Sequence, residues 1–584
     1  MPGLRANRQP SGASAINSVC GADDPTDAVW VTGHRDHSRM RTVVDAMIAS
    51  AGSGRGTLTV LGPTGEPADT VTWHDLHVRA RRQAAALVGL GVRPGDRVGL
   101  LGDSGVPMVS AVQAVWLAGG ATTVLPPRGR CGIEAYLEQL RAIVADAGMT
   151  AILVDEPAGE VAAGLAGVTR VLDLTVSAGT PAEPYRPEPT DLAVLQYTSG
   201  STRSPRGVPV THGHFAANLD AIADALDHDD WHPGVWLSWL PLYHDMGLIA
   251  FLTHPMTCGC PLVLQSPAGF AGHPASWLGA MSRYRATISG APNFAYALMT
   301  RLLAGRTDLD LDLRATRLLV SGGEPVDAEM MTRFAAEAGR YGLDPAALTP
   351  AYGLAETTLA ATMNPAGAGL RVDRVDPHAL ESGGRAVPVP GSAPGRTLVS
   401  CGRPVARTSV RIVDRHTGTP VGTRAIGHIE LRGASVVGHY WGEPKPPVDS
   451  WLRTGDLGYL THGGELVVCG REKDVVFAAG RNIFPQDVEA VAQEAPGVRP
   501  GGAAAFGLAD ERGDRLVVAV EARGGDPAEL RRSVTALVRA EVGLAPAEVV
   551  VLPYGQLPKT TSGKLRRAET RRRYLDGQLA AAAR

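Results

Sequence analysis

The chain has 584 residues with 56 basic and 59 acidic side chains, a net charge of −3, and 44% hydrophobic, 20% charged and 5% aromatic residues. That length suits roughly three to four domain-sized units, the composition is that of a globular protein, and the near-neutral charge offers no electrostatic footing for nucleic acid or an anionic membrane. No apolar run approaches the ~20 residues that span a bilayer, the start MPGLRANRQPSGASAINSVC lacks the apolar core of a secretory signal, and six cysteines are too sparse for a disulfide scaffold, so a cytoplasmic protein is expected.

Residues 1–40 mix Gly, Pro, Ser, Asp and Arg without periodicity and read as a loose, disordered tail. From 41 onward helical stretches alternate with short apolar runs such as DRVGLLGD, ATTVLPP, TAILVDE, LAVLQYT, PLVLQSP and TRLLVSGGEP. That alternation predicts an open α/β sheet through about residue 325. The stretch 364–400 is rich in Gly and Pro with scattered charges and reads as an insertion lying at the surface as a loop; short β runs such as TSVRIVD, GHIELRG and GELVVCG follow. Beyond 474 comes a compact α+β pattern. The expectation is a large N-terminal α/β body over 41–470, with mixed sheets and a β-rich part, and a small C-terminal domain over 471–584.

Five segments carry residues suited to chemistry. In LQYTSGSTRSPRGV (195–208) an apolar run ends in small hydroxyl residues and glycines, whose side chains and backbone N–H groups can wrap phosphate oxygens. Alone it also fits an ordinary loop, and the Walker pattern is absent. In PAYGLAETT (350–358) Tyr352 can stack on a base and Glu356 can ligate Mg²⁺, which takes oxygen ligands; a capped helix start is the plainer alternative. Asp456 of WLRTGDLG is expected in a tight turn, where its carboxylate could accept ribose hydroxyls. GREKDVV (470–476) and the basic loop LPKTTSGKLRR (557–567) complete the set. Of all 56 basic residues only Lys445, Lys473, Lys559 and Lys564 are lysines, and three of these four lie in the last two segments. Where a plain charge suffices this chain uses Arg, so those lysines point to a specific need. Cys258-Gly-Cys260 lacks the second ligand pair of a zinc site, no GxSxG elbow occurs, and Trp231, Trp236, Trp239 and Tyr243 read as core and pocket wall.

In this order the five segments resemble the adenylate-forming superfamily of acyl-CoA synthetases, luciferases and peptide-synthetase adenylation domains, over essentially 41–575. WLPLYHDMGLI (239–249), YGLAETTL (352–359) and GRNIFPQDVE (480–489) look like its fatty acyl-AMP ligase branch, as does the 46-position gap from Glu356 to Gly402, where that branch carries an insertion. The resemblance implies a large N-terminal adenylate-forming domain and a mobile C-terminal lid. It implies activation of a fatty acid with ATP and Mg²⁺ to acyl-AMP, then transfer to the phosphopantetheine thiol of an acyl carrier protein supplied in trans. Acyl-CoA formation with free coenzyme A is the near alternative, and a nucleotide-binding pseudoenzyme a remote one.

Residue by residue, the resemblance implies that Thr198, Ser199, Gly200, Ser201 and Thr202 hold the β- and γ-phosphates. Gly322, Gly323 and Glu324 line the adenine and acyl channel, and Ala351, Tyr352 and Gly353 lie at the adenine. Glu356 binds the metal, Asp456 the ribose hydroxyls, and Arg471 the ribose or phosphates. His244 sits at the carboxylate entrance, Lys473 is the hinge, and Lys564 bridges substrate carboxylate and α-phosphate. The chain departs from the family at Arg203, usually Gly, and at Arg206, usually Lys.

Overall fold

The computed structural model describes residues 42–579 except 129–131, 157–158, 199–205, 227–233, 307, 479, 511–512 and 561–563, together with the short strands Val19–Cys20 and Trp30–Thr32. Three large sheets build the portion before residue 471. One has six strands in the order 206–211, 192–198, 121–124, 97–101, 151–154, 170–173, all parallel except Arg206–Thr211, which folds back antiparallel on Leu192–Thr198. A nine-stranded sheet holds a parallel block in the order Leu348–Gly353, Leu318–Ser321, Ile288–Ala291, Trp236–Ser238, Leu262–Gln265, Thr57–Leu61. The inner strands LLVS, ISGA and WLS are almost entirely buried, as apolar runs covered by helices on both faces must be. The connecting helices start at designed points: Thr42, Thr72, Thr211 and Asp327 each accept a backbone N–H in the first turn.

The third sheet is antiparallel and contains Thr408–Val413, Gly427–Gly433, Leu452–Leu460 and Leu466–Arg471. Its outer strands are Val19–Cys20 and Trp30–Thr32, with Trp30 opposite Arg411. The segment expected to be a loose tail therefore contributes two strands, because an antiparallel edge at Thr408–Val413 offers free backbone partners to any extended stretch that reaches it.

Beyond 471 the hairpin Val476–Ala478 with Arg481–Ile483, the strands Val498–Asp510, Gly513–Ala522 and Glu548–Leu552, and helices Pro485–Gln493, Pro527–Glu541 and Arg567–Leu575 form their own core around Val488, Val518, Val534 and Val551. The insertion is ordered differently from expectation. Val372–Val375 pairs with Arg396–Val399, a short helix Pro377–Glu381 lies between them, and Val375, Leu380, Ala386 and Leu398 are buried against Tyr459, Cys469 and Phe484. Its Gly/Pro content marked a surface loop; the apolar residues interspersed in it make it part of a core.

Candidate active site

The strands Trp236–Ser238, Ile288–Ala291, Leu318–Ser321 and Leu348–Gly353 lie in one parallel block, so their carboxyl ends form one rim, where open α/β sheets bind ligands. The chain leaves that rim through His244, Asn293, Gly322–Glu324 and Glu356, residues scattered over more than a hundred positions in sequence. Gly322 passes so close to the neighbouring strand that a Cβ on it would lie 2.9 Å from the Ala351 carbonyl oxygen. Gly323 has φ +78°, and a Cβ on it would come within 3.1 Å of the Lys564 Nζ. The lysine at the far end of the chain thus reaches the rim over a glycine that both its backbone angle and the approaching ammonium require.

Lys564 is held by its own loop. The Thr560 N–H donates to the Lys564 carbonyl at 2.8 Å, the Lys564 N–H to the Thr560 hydroxyl at 3.0 Å, and the Arg566 N–H to Pro558 at 2.9 Å. Lys559 donates to the Gly501 carbonyl at 2.6 Å. Just after the loop, Arg567 forks onto Glu489 at 2.6 and 2.7 Å and reaches Asp474 at 3.2 Å.

Three groups face Lys564. Burial, then the lysine's charge, pushes His244 down to about 3, so it is neutral, and its buried Nε2 has no hydrogen-bond partner among the described residues. Burial pushes the Asp245 and Glu324 carboxyls up, against the pull of Lys564. Glu324 accepts the Asn293 N–H at 2.8 Å. An orphaned imidazole nitrogen beside a cation is a place prepared for an anionic, hydrogen-bonding ligand.

A second cluster forms where the antiparallel sheet meets the rim. Asp456 and Arg471 are register partners on adjacent strands. The Arg471 Nε donates to Asp456 at 3.1 Å and the Tyr352 hydroxyl donates to its other oxygen at 2.7 Å. Asp456 therefore stands within the strand Leu452–Leu460 and not in a tight turn; a bulge follows it, and the Gly-Asp-Leu-Gly pattern marked that irregularity. Burial raises its carboxyl while Arg471 and the Tyr352 hydroxyl oppose the rise.

Glu356 lies in a 3-10 turn after Gly353, where a Cβ would fall 1.7 Å from the Leu359 carbonyl oxygen. The turn ends at Thr358, a non-glycine at φ 68°, fastened by its hydroxyl to the Ser435 carbonyl at 2.8 Å. The wholly buried Asn218 ties Thr357, Ala360 and Ser435 together. Strain held by such contacts is common at functional sites. Tyr440 donates to one Glu356 oxygen at 2.5 Å. Among the described residues no three His, Cys, Asp or Glu side chains form a metal cage. A single carboxylate is nevertheless compatible with Mg²⁺, which commonly binds through one or two carboxylates plus phosphate oxygens and water.

Lys473 lies in the 3-10 turn Glu472–Asp474 that joins the antiparallel sheet to the small unit. The insertion grips that unit from the other side: the Arg481 guanidinium bonds Glu381, the Asn482 amide donates to the Glu381 carbonyl at 2.9 Å, and Arg396 pairs with Asp487 at 2.9 Å while lying over Phe484.

Of the residues singled out in the sequence, His244, Gly322, Gly323, Glu324 and Lys564 form one group, and Ala351, Tyr352, Gly353, Glu356, Asp456 and Arg471 the adjoining one. Thr198 ends a strand, while Ser199, Gly200, Ser201, Thr202, Arg203 and Trp231 lie outside the described residues. Trp239 stacks on Phe270 and Trp236 packs edge-on to Phe251, as core. Sequence reading missed Asn218, Asn293, Tyr440 and Arg567. Tyr440, in the aromatic pair of VVGHYW, and Arg567, at the end of LPKTTSGKLRR, carried a local signal but no sign of their partners.

This strand-end rim, crossed by a lysine from a small C-terminal unit, is the adenylate-forming fold. A structure from work on the fatty acyl-adenylate ligases of E. coli and L. pneumophila matches with a TM-score of 0.84 at 33% identity, over 92% of this chain and 98% of that one. The chain belongs to the AMP-binding enzyme family, which matches residues 54–441. The long-chain-fatty-acid–AMP ligase FadD26 of Mycobacterium marinum is 35% identical over 547 residues, 87% of this chain and 92% of its own. The 4-hydroxyphenylalkanoate adenylyltransferase of Mycobacterium tuberculosis is 35% identical over 548 residues, 87% of this chain and 86% of its own.

Proposed function

We propose that the protein is a fatty acyl-AMP ligase: it condenses a fatty acid with ATP to acyl-AMP and pyrophosphate, then transfers the acyl group to the phosphopantetheine thiol of a carrier protein. The observation that carries this reading is the Lys564 ammonium seated over Gly323 beside the His244 Nε2, which has no hydrogen-bond partner among the described residues. A carboxylate attacking an α-phosphate brings two anions together, and a compact, preorganised cation between them offsets the repulsion and the charge of the transferring group. An ammonium fits between the reacting oxygens better than a planar guanidinium. Neutral His244 can donate to the acid's carboxylate without competing for its proton.

Asp456, itself positioned by Tyr352 and Arg471, is the acceptor for the ribose hydroxyls, and Ala351 and Gly353 lie beside the adenine. The loop that starts at Thr198 takes the β- and γ-phosphates. Glu356 is the residue to hold Mg²⁺, which when bound neutralises the leaving pyrophosphate. After adenylation the unit beyond Lys473 swings, withdrawing Lys564 and opening a path for the pantetheine thiol. The grip of the insertion on Arg481 and Asp487 restrains that swing and disfavours free coenzyme A as acceptor.

The test is incubation of the full chain with ATP, Mg²⁺ and a panel of medium and long fatty acids, with acyl-AMP and pyrophosphate measured. Coenzyme A and a holo carrier protein are then compared as acceptors. Adenylate that is discharged only by the carrier supports the reading; discharge by coenzyme A makes the protein an acyl-CoA ligase, and no adenylate with any acid makes it a nucleotide-binding pseudoenzyme.

A further inference from the structure

We infer that Tyr440 is a positioning residue that sets the Glu356 carboxylate for the metal and couples it to the exit of the phosphate loop through Arg206. The inference rests on the reading of Glu356 as the Mg²⁺ ligand. Tyr440 donates its hydroxyl to one Glu356 oxygen at 2.5 Å, which fixes the carboxylate's rotation and leaves its second oxygen for a cation. A hydrogen bond to an ionised acceptor is among the stronger ones.

The other face of the ring explains the Arg that replaces the family's Lys at 206. Arg206 pairs with Thr198 across the mouth of the phosphate loop, as its first residue on the way out. Its guanidinium lies 3.5 Å from the Tyr440 ring centroid and is ion-paired with Glu443. A planar guanidinium stacks on an aromatic face, which an ammonium does less well. The backbone around Tyr440 is pinned at both ends: the Val437 N–H donates to the Glu356 carbonyl at 2.8 Å, and the Trp441 N–H to the Gly207 carbonyl at 2.7 Å. One short segment thus spans the metal carboxylate and the end of the phosphate loop, with the Tyr440 ring where the two meet.

The experiment is calorimetric titration of ATP into the full chain without fatty acid, in Mg²⁺ and again in EDTA, for the unmodified protein, Tyr440→Phe, Arg206→Lys and Glu356→Gln. Tyr440→Phe keeps the ring and the stacking and removes only the hydroxyl. It should weaken ATP binding about ten-fold or more in Mg²⁺ and leave binding in EDTA unchanged. Arg206→Lys should show a smaller loss of the same Mg²⁺-dependent kind. The double variant Tyr440→Phe with Glu356→Gln should bind no worse than Glu356→Gln alone. Equal losses with and without Mg²⁺, additive losses in the double variant, or an unfolded Tyr440→Phe would each overturn the inference. If Glu356→Gln itself leaves Mg²⁺-dependent binding intact, the metal assignment has failed and the inference with it. If only Tyr440→Phe is silent, the assignment stands and the inference alone falls.

Discussion

At the scale of single residues the site depends on a few contacts that admit no near substitute. In the proposed mechanism Lys564 supplies a charge to both reacting anions, so Lys564→Ala should slow adenylation by at least about 10²–10³-fold, the usual effect of one preorganised charge contact. Transfer from preformed acyl-AMP to the carrier should fall far less, because the proposed swing about Lys473 would remove this loop before that step. Single-turnover measurements of the two half-reactions separate the cases, and equal losses would make Lys564 structural. Gly323 tests the same contact from the other side. Gly323→Ala puts a Cβ within 3.1 Å of the Lys564 Nζ at a φ of +78°, so adenylation should drop while ATP binding without acid changes little; calorimetry and a pyrophosphate assay on one preparation decide it.

At the scale of elements, the insertion is the part whose role differs most from its appearance. Removing 372–399 outright would empty the cluster around Val375, Leu380 and Leu398, and large-to-small core changes cost about 2–5 kcal/mol each, so a clean deletion should misfold. The informative variant keeps the buried apolar residues and breaks the charged contacts of the grip: Glu381→Gln with Arg396→Met. It should fold and make acyl-AMP at the original rate, while acyl-CoA formation rises from near zero. Chromatography of both products from one reaction checks this, and unchanged acyl-CoA would mean that coenzyme A is excluded by the lack of a pocket. The fork of Arg567 onto Glu489 and Asp474 ties the Lys564 loop to the residue after Lys473, the proposed hinge. Arg567→Ala leaves Glu489, only 5% exposed, without its partner. Such breaks of buried pairs cost about 3–5 kcal/mol, so the unit beyond 471 should melt before the rest, as a separate calorimetric transition.

For the whole molecule, acid should be destabilising near neutrality. Burial pushes His212 and His214 down to about 4 and His244 down to about 3, from 6.5. Between pH 6.5 and about 4 the unfolded chain takes up protons at these sites that the folded one refuses, so stability falls as pH falls through that window. Asp487 acts in the opposite sense: burial raises it to about 6, so it favours the fold as pH drops. Asp245, Glu324 and Asp456, raised by burial, act with Asp487, while His77 and His428, lowered by burial, act with the other histidines. Between pH 7 and 5 the histidines dominate, because that window spans the unfolded histidine value and lies above the unfolded carboxylate values. Scanning calorimetry should give a lower Tm at pH 5 than at pH 7, and a flat profile would mean that these histidines are accessible to protons in the fold.

The alternation of helical and apolar stretches determined the α/β body, because periodicity and burial are local properties of a chain. The five motifs pointed to the chemistry only together, through their resemblance to the adenylate-forming superfamily; singly, Glu356 also fitted a helix start and Asp456 an ordinary turn. The scarcity of lysine made Lys564 stand out before any fold was known. What the tertiary structure decided was contact between distant segments. Only the parallel order of strands 236–238, 288–291, 318–321 and 348–353 shows why His244, Glu324 and Glu356 share one rim. The Asp456 turn was misread because an irregular strand and a turn use the same Gly-Asp vocabulary. The insertion was misread because Gly and Pro mark loops whether or not the apolar residues between them find a core. The partners of Tyr440, Asn218 and Arg567 were invisible in the sequence, since a hydrogen bond between residues 84 positions apart, such as Tyr440 to Glu356, leaves no periodic trace in either segment.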